Sequence, residues 1–127
     1  MLKYIVNKVA TDGGTAPSGG NRLLRLFTNN LMPGKYTVID DVIEAVEDGY
    51  LPITLTGTSW TIATDAGVNS ASYAIQTFTF TEAVTVYGYY LTTQDDELLW
   101  IERFSDGPYT LPGPGGEIAV TPKFVLN

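Results

Sequence analysis

The chain has 127 residues, 44% of them apolar and 17% charged, which is enough for one domain with its own hydrophobic core. Its net charge of −7 argues against nucleic acid or an anionic membrane as a partner, and no apolar run approaches the length of a membrane span. Without cysteine or histidine, the chain has no disulfide bonds, no thiolate or imidazole zinc sites and no Ser-His-Asp triad.

The first 21 residues differ in composition from the rest of the chain. The apolar residues Leu2, Tyr4, Ile5 and Val6 are followed by TDGGTAPSGGN, whose four glycines are typical of a linker. We therefore predict an arm and a glycine-rich linker over residues 1–21 and a single domain over residues 22–127. The arm either contacts a partner, such as a neighbouring subunit, through these four residues, or forms an edge strand of its own domain behind a long loop.

A strand and then a helix are predicted to follow the linker. RLLRLFT (22–28) alternates in the manner of a strand, with Leu24 and Leu26 on one face. Valine and isoleucine then recur at one-face helical spacing over residues 37–48, with Thr37 placed to cap the start and Gly49 to end the helix. The acidic outer face of this amphipathic helix is either a docking or cation site or, in the simpler interpretation, a solvated surface.

Two further strands are predicted between this helix and residue 81. ITLTGTSWTIAT (53–64) alternates but changes phase near Gly57, which indicates a bulge. YAIQTFTFT (73–81) places Phe78 and Phe80 on one face of a half-buried strand. Residues 65–72 between them are predicted to be a loop.

Residues 84–104 are predicted to form the central hairpin of the domain. Two aromatic-rich arms flank the polar segment TTQDDE, and both faces of the arms carry large apolar side chains. We therefore expect other parts of the chain to pack on both sides of this hairpin. Gly88, which lies between tyrosines, indicates a bulge or the close approach of another backbone.

Proline and glycine dominate SDGPYTLPGPGGE (105–117), which predicts irregular structure. Tyr109 and Leu111 stand inside this stretch, and we predict that they contact a partner. The final segment, EIAVTPKFVLN, is predicted to be an edge or irregular strand because Pro122 cannot donate to a ladder. Together these elements predict a mainly β fold, an antiparallel β-sandwich or jelly-roll-like domain with one inserted helix at about 37–48.

No arrangement of residues in the sequence predicts catalysis. The acidic pairs are adjacent in sequence, whereas a glycosidase needs two carboxylates that face each other across a cleft. The DDE of the hairpin loop lacks the alternating oxygen ligands of a calcium loop, so a polar turn is expected. The tyrosines and tryptophans either form a sugar-stacking platform or belong to the core, and their strand periodicity favours the core. We expect no enzymatic activity, no cofactor and no bound metal.

A series of segments resembles a family of short proteins encoded among the virion structural genes of tailed bacteriophages. The segments are LFTNN, GYLPITLTGTSW, QTFTFT, VYGYYLT, LLWIERF and IAVTPK, in that order, and the resemblance covers nearly all of residues 23–125. It implies a virion protein, made in the bacterial cytoplasm, with no catalytic residues to carry over.

Within this resemblance we expect first a capsid decoration (cement) protein that binds the major capsid protein. Decoration proteins of bacteriophages are small β-rich domains and often trimers, so a homo-oligomer, with a trimer favoured, is expected by analogy. The alternative is a tail, baseplate or host-recognition component that binds protein or surface glycan. A hydrolytic enzyme is a third class, which the absence of histidine disfavours.

Overall fold

A computed structural model describes residues 21–56 and 60–126 of the protein. This part of the chain contains eleven strands, and all of the pairings between them are antiparallel. The strands are β1 (Arg22–Phe27), β2 (Ile53–Leu55), β3 (Thr61–Asp65), β4 (Val68–Ser72), β5 (Gln76–Phe80), β6 (Val84–Val86), β7 (Gly88–Thr92), β8 (Leu98–Arg103), β9 (Tyr109–Leu111), β10 (Gly116–Val120) and β11 (Lys123–Leu126). The prediction of a mainly β, antiparallel fold is therefore confirmed.

A four-stranded sheet in the order β2-β1-β7-β8 contains the predicted hairpin. β1 pairs with β7 from Leu23, opposite Thr92, to Phe27, opposite Gly88, and its first half also pairs with β2. β7 and β8 form the hairpin around the polar turn, with a register shift between Leu91 and Thr92. The predicted strand at 22–28 and the central hairpin are both confirmed.

Gly88 lies where two other parts of the chain approach closely. A Cβ at this position would overlap the carbonyl oxygen of Glu102 and would lie 2.5 Å from the ring of Phe27. The strand also breaks here, because Tyr87 separates β6 from β7. Of the two alternatives predicted for Gly88, the close approach of another backbone is present, whereas the register shift of this hairpin lies between Leu91 and Thr92.

Three smaller sheets continue from long bent segments of chain. β6 leads into β7, β4 into β5 and β10 into β11, so each of these segments contributes to two sheets. The smaller sheets are β6-β9, β10-β5 and β11-β4-β3. Buried apolar residues of all four sheets belong to one cluster, so the strands enclose one common core.

The core is rich in aromatic contacts between the four-stranded sheet and the smaller sheets. Trp100 of β8 meets Phe124 of β11 edge-to-face, with ring centroids 4.8 Å apart. Tyr50 stacks on Phe78 and on Phe80 of β5, at 5.7 Å in each case. Phe78 and Phe80 are both buried, which confirms the phenylalanine face predicted for residues 73–81.

The predicted helix at residues 37–48 is wrong. Only a single 3-10 turn, Ile39–Asp41, is present in this segment, and Asp41 rather than Thr37 caps it, by accepting a hydrogen bond from the Val38 N–H. The chain then runs extended beside the end of β1, where Thr28 N donates to Ile43 O and Ala45 N to Leu26 O.

The side chains that suggested a helix also explain why this segment is extended. They are valine and isoleucine, whose branched Cβ atoms favour extended backbone, and the end of β1 offers unpaired backbone groups. Val46 is 84% exposed, so the helical spacing did not mark a buried face. Gly49 does have the expected positive φ of 92°, but it packs against the backbone of Thr79 and Thr81 and does not end a helix.

Two predicted irregular regions are strands. Residues 65–72 contain β4, which pairs with β3 around a turn in which Ala66 and Gly67 have positive φ. Residues 105–117 contain β9 and the start of β10. Pro108 and Pro112 flank β9 without lying inside it, so they remove no ladder donor. The predicted arm and the bulge near Gly57 lie outside the described residues, and the domain boundary stays a prediction.

Candidate functional site

A groove separates β9 from β10, although the two strands are consecutive in the chain. β9 pairs with β6 and β10 pairs with β5, and among the described residues no ladder joins β9 to β10. The groove between them has a volume of about 410 Å³. Its lining residues are Pro108, Tyr109, Thr110, Leu111, Glu117, Ile118 and Ala119. Two strand edges therefore face each other across an open space.

The turn that joins β9 to β10 explains why the two strands diverge. Gly115 has a φ of 95° and donates its N–H to Pro112 O at 2.7 Å. A Cβ on Gly115 would overlap the carbonyl oxygen of Phe80, so the turn is seated against the end of β5. From this point β10 follows β5, whereas β9 follows β6.

Tyr109 and Leu111, the two predicted partner-binding residues of this region, both line the groove. They are half-buried and belong to β9, so the prediction of irregular structure is wrong for this part of the segment, and contact with a partner stays a prediction. Tyr109 packs on Phe104, with ring centroids 4.8 Å apart, and its hydroxyl donates to Asp106. This hydrogen bond raises the pKa of Tyr109. The exposed Glu117 is the one charged residue of the lining, so the groove combines apolar and polar side chains with an acidic rim.

A second cavity, of about 320 Å³, lies between the four-stranded sheet and the chain that connects β1 to β2. We call this connection, residues 28–52, the crossover. At the cavity Arg25 of β1 pairs with Glu44 of the crossover at 2.8 Å and with Asp96 of the hairpin turn at 2.9 Å. Glu44 accepts a second hydrogen bond, from the Tyr50 hydroxyl, at 2.7 Å.

The pKa shifts around this cavity follow from burial and from Glu44. Burial by itself would lower the pKa of Arg25, but the charge and the hydrogen bond of Glu44 outweigh it and the pKa is raised. Burial, together with the hydrogen bond to Glu44, raises the pKa of Tyr50, and burial raises that of Tyr90. Both oxygens of Glu44 are engaged by Arg25 and Tyr50, so the cluster ties the crossover to the sheet.

The crossover also carries most of the exposed large apolar side chains of the described residues. Six of the seven lie there, and they are Met32, Tyr36, Val38, Ile43, Val46 and Leu51. Tyr36, Val46 and Leu51 are each more than 75% exposed. Contiguous exposed apolar patches mark interaction sites, and the concentration of these side chains on one segment makes the crossover a candidate interaction surface. The sequence did not reveal this surface, since Val38, Ile43 and Val46 were assigned to the apolar face of a helix that is not present.

The remaining predicted partner-binding residues, Leu2, Tyr4, Ile5 and Val6, lie outside the described residues. Tyr89, Tyr90 and Trp60 are buried, which agrees with the preferred assignment of the aromatic residues to the core over a sugar-stacking platform. The acidic hairpin turn is held by its own contacts: Thr93 Oγ accepts hydrogen bonds from the N–H groups of Asp95 and Glu97. Within the described ranges, no group of three or more acidic side chains is placed to hold a metal ion.

Comparison with known proteins returned no family model, no curated protein and no solved structure that matches the chain. Over residues 21–56 and 60–126, no helix is long and apolar enough to cross a membrane. The fold and the surfaces together define an antiparallel β domain that offers two strand edges at a groove and an exposed apolar crossover.

Proposed function

We propose that this protein is a non-enzymatic virion structural protein of a tailed bacteriophage, a capsid decoration protein that binds the head lattice and stabilises it. In this proposal the domain is a β-sandwich, the four-stranded sheet forming one layer and the strands around β5 and β11 the other. The protein acts as a homo-oligomer, with a trimer favoured, and its first partner is the major capsid protein.

The exposed crossover is the observation that carries the proposal. Tyr36, Val46 and Leu51 are each more than 75% exposed, and a partner that covered them would remove their apolar area from water, which is favourable. The charged groups of the cluster around Arg25 are already paired with one another within the chain. The resemblance to virion proteins supplies the class of partner.

Location in the virion tests the proposal directly. Virions of the phage that encodes the chain would be labelled with antibody and gold and imaged by electron microscopy. Label distributed over the head is the expected result. Label on the tail or baseplate would replace decoration by the alternative, a tail or host-recognition component, and a virion without label would overturn the virion role altogether.

The contribution of the crossover can be tested with matched variants. Replacing Tyr36, Val46 and Leu51 by serine should leave the isolated fold intact, because surface substitutions usually change stability by less than about 0.5 kcal/mol each. Attachment to capsids that lack the protein should weaken at least about tenfold, equivalent to about 1.4 kcal/mol. Ile75→Ser is the control, since Ile75 is 62% exposed but lies outside the crossover. Equal attachment of both variants would remove the crossover from the interface.

A further inference from the structure

We propose that the groove between β9 and β10 receives residues 2–9 of a second copy of this chain as an added strand. The inference rests on the homo-oligomer of the proposed function and names its interface. The sequence analysis predicted partner contacts separately for the apolar arm and for Tyr109 and Leu111. In this inference the two sets of residues contact each other.

The geometry of the groove favours an extended peptide over a compact ligand. Its volume of about 410 Å³ would admit a small molecule, but both of its walls are strand edges. Backbone N–H and C=O groups on a free edge bind best to another strand, which is the basis of β-strand addition. Ile118 is buried, and Tyr109 and Leu111 are half-buried and pack on the core, so the groove also offers apolar contacts to the side chains of such a strand.

Residues 2–9 have the composition that this groove requires. In an extended segment Leu2, Tyr4, Val6 and Lys8 point to one side, so that side is apolar up to its last residue and can contact the apolar side chains of the groove. Lys3 and Ile5 point to the other side. The segment holds two of the chain's seven lysines and arginines and none of its fourteen acidic residues. The groove carries Glu117 and lies beside Asp106, so the charges of the two surfaces are complementary.

In this proposal the occupant is a second copy, because the contact then links copies of the chain into the homo-oligomer of the proposed function. Leu23 at the start of β1 lies opposite Thr92, and Leu111 at the groove lies opposite Val84. Residues 84–92 change sheet at Tyr87, so they set an upper limit of about 26 Å on the distance between these two points. The average end-to-end distance of twelve residues of linker composition, 10–21, is about 20 Å, so the arm of the same chain is the competing occupant that the test must distinguish.

Such a contact is heterologous, because the arm of one copy meets the groove of the next. Heterologous contacts generate closed rings when the rotation between copies closes. Arm exchange of this kind therefore provides a route to the cyclic trimer of the proposed function.

The absence of cysteine allows a direct test with two single-cysteine variants of the full chain. Val6→Cys, carrying a tag that changes its mass, would be mixed with Ala119→Cys, whose side chain lies at the exposed rim of the groove. After treatment with a short bis-maleimide, a mixed dimer on a denaturing gel reports a contact between chains. Gln94→Cys replaces Ala119→Cys in the control, because Gln94 is exposed at the far end of the β7-β8 hairpin.

The expected result is at least about five times more mixed dimer with Ala119→Cys than with Gln94→Cys. Equal yields would overturn the proposal. A cross-link confined to single chains of the Val6→Cys/Ala119→Cys double variant would also overturn it, since the arm would then occupy its own groove. The cross-linking test uses purified protein and is independent of virion labelling. Either experiment can fail while the other succeeds, so failure of this inference can be distinguished from failure of the proposed function.

A charge reversal provides the second readout. Lys3→Glu with Lys8→Glu should lower the sedimentation coefficient towards that of a monomer without changing the thermal melt of the domain. Unchanged oligomers would refute the charge complementarity on which the choice of occupant rests.

Discussion

Replacing Gly88 by alanine tests the packing at the centre of the four-stranded sheet. The new Cβ would overlap the Glu102 carbonyl oxygen and lie 2.5 Å from the Phe27 ring, and Phe27 is fully buried. Neither neighbour can withdraw easily, because the first is backbone of β8 and the second fills the space beside β1. Overpacking of this kind costs up to about 3 kcal/mol.

The melting temperature provides the assay. With an unfolding entropy of about 2.1 cal/mol/K per residue, a loss of about 3 kcal/mol lowers Tm by about 10 °C for a domain of this size. Gly34→Ala is the matched control, since no atom lies within 4 Å of a Cβ at that position. If Gly88→Ala melted at the same temperature as the control, the close approach of β1, β7 and β8 would be refuted.

Three further changes test other parts of the molecule. Trp100→Ala should lower the unfolding free energy in urea by about 3 kcal/mol through loss of the Phe124 contact, and a loss well below about 1 kcal/mol would place Trp100 outside the core. Burial raises the pKa of Tyr50, Tyr89 and Tyr90, so their contribution to stability should be constant well below pH about 10, the pKa of tyrosine in the unfolded chain, and should fall as the pH rises through that value. Urea denaturation at several pH values checks this, and a rise in stability above that pH would contradict it. Gly115→Ala should destabilise the β9-β10 turn by at least about 1 kcal/mol relative to Gly113→Ala, which meets no atom within 4 Å, and equal melts would contradict the seating of that turn.

The sequence revealed β1 and β5 because their side chains alternate in burial. It revealed the β7-β8 hairpin because two apolar, aromatic-rich arms flank a polar turn. The close approach at Gly88 could be predicted because a glycine within an aromatic-rich strand indicates that a neighbouring group occupies the space of its side chain. In each case the burial of a residue is decided by its own strand, so a local pattern carries the information.

The helix prediction was wrong because contacts with another part of the chain decide the conformation of this segment. Val38, Ile43 and Val46 match a helical face, but the conformation of this segment is decided by the free backbone groups at the end of β1. β4 was missed because its residues are small and polar, and its strand character depends on pairing with β3 and β11. The groove could not be predicted from the sequence either, because it exists only where β9 pairs with β6 and β10 pairs with β5.

The two surfaces proposed for interaction rest on one shared support. The turn beside the groove is seated against the backbone of Phe80, whose ring stacks on Tyr50. Tyr50 belongs to the crossover, donates its hydroxyl to Glu44 and accepts the N–H of Leu26 in β1. A change that displaces Tyr50 therefore reaches the crossover and the groove together, whereas a change at the groove rim, such as one at Ala119, alters the groove alone. For this reason variants on the exposed rims separate binding from folding, and variants of the stacked tyrosine and phenylalanine do not.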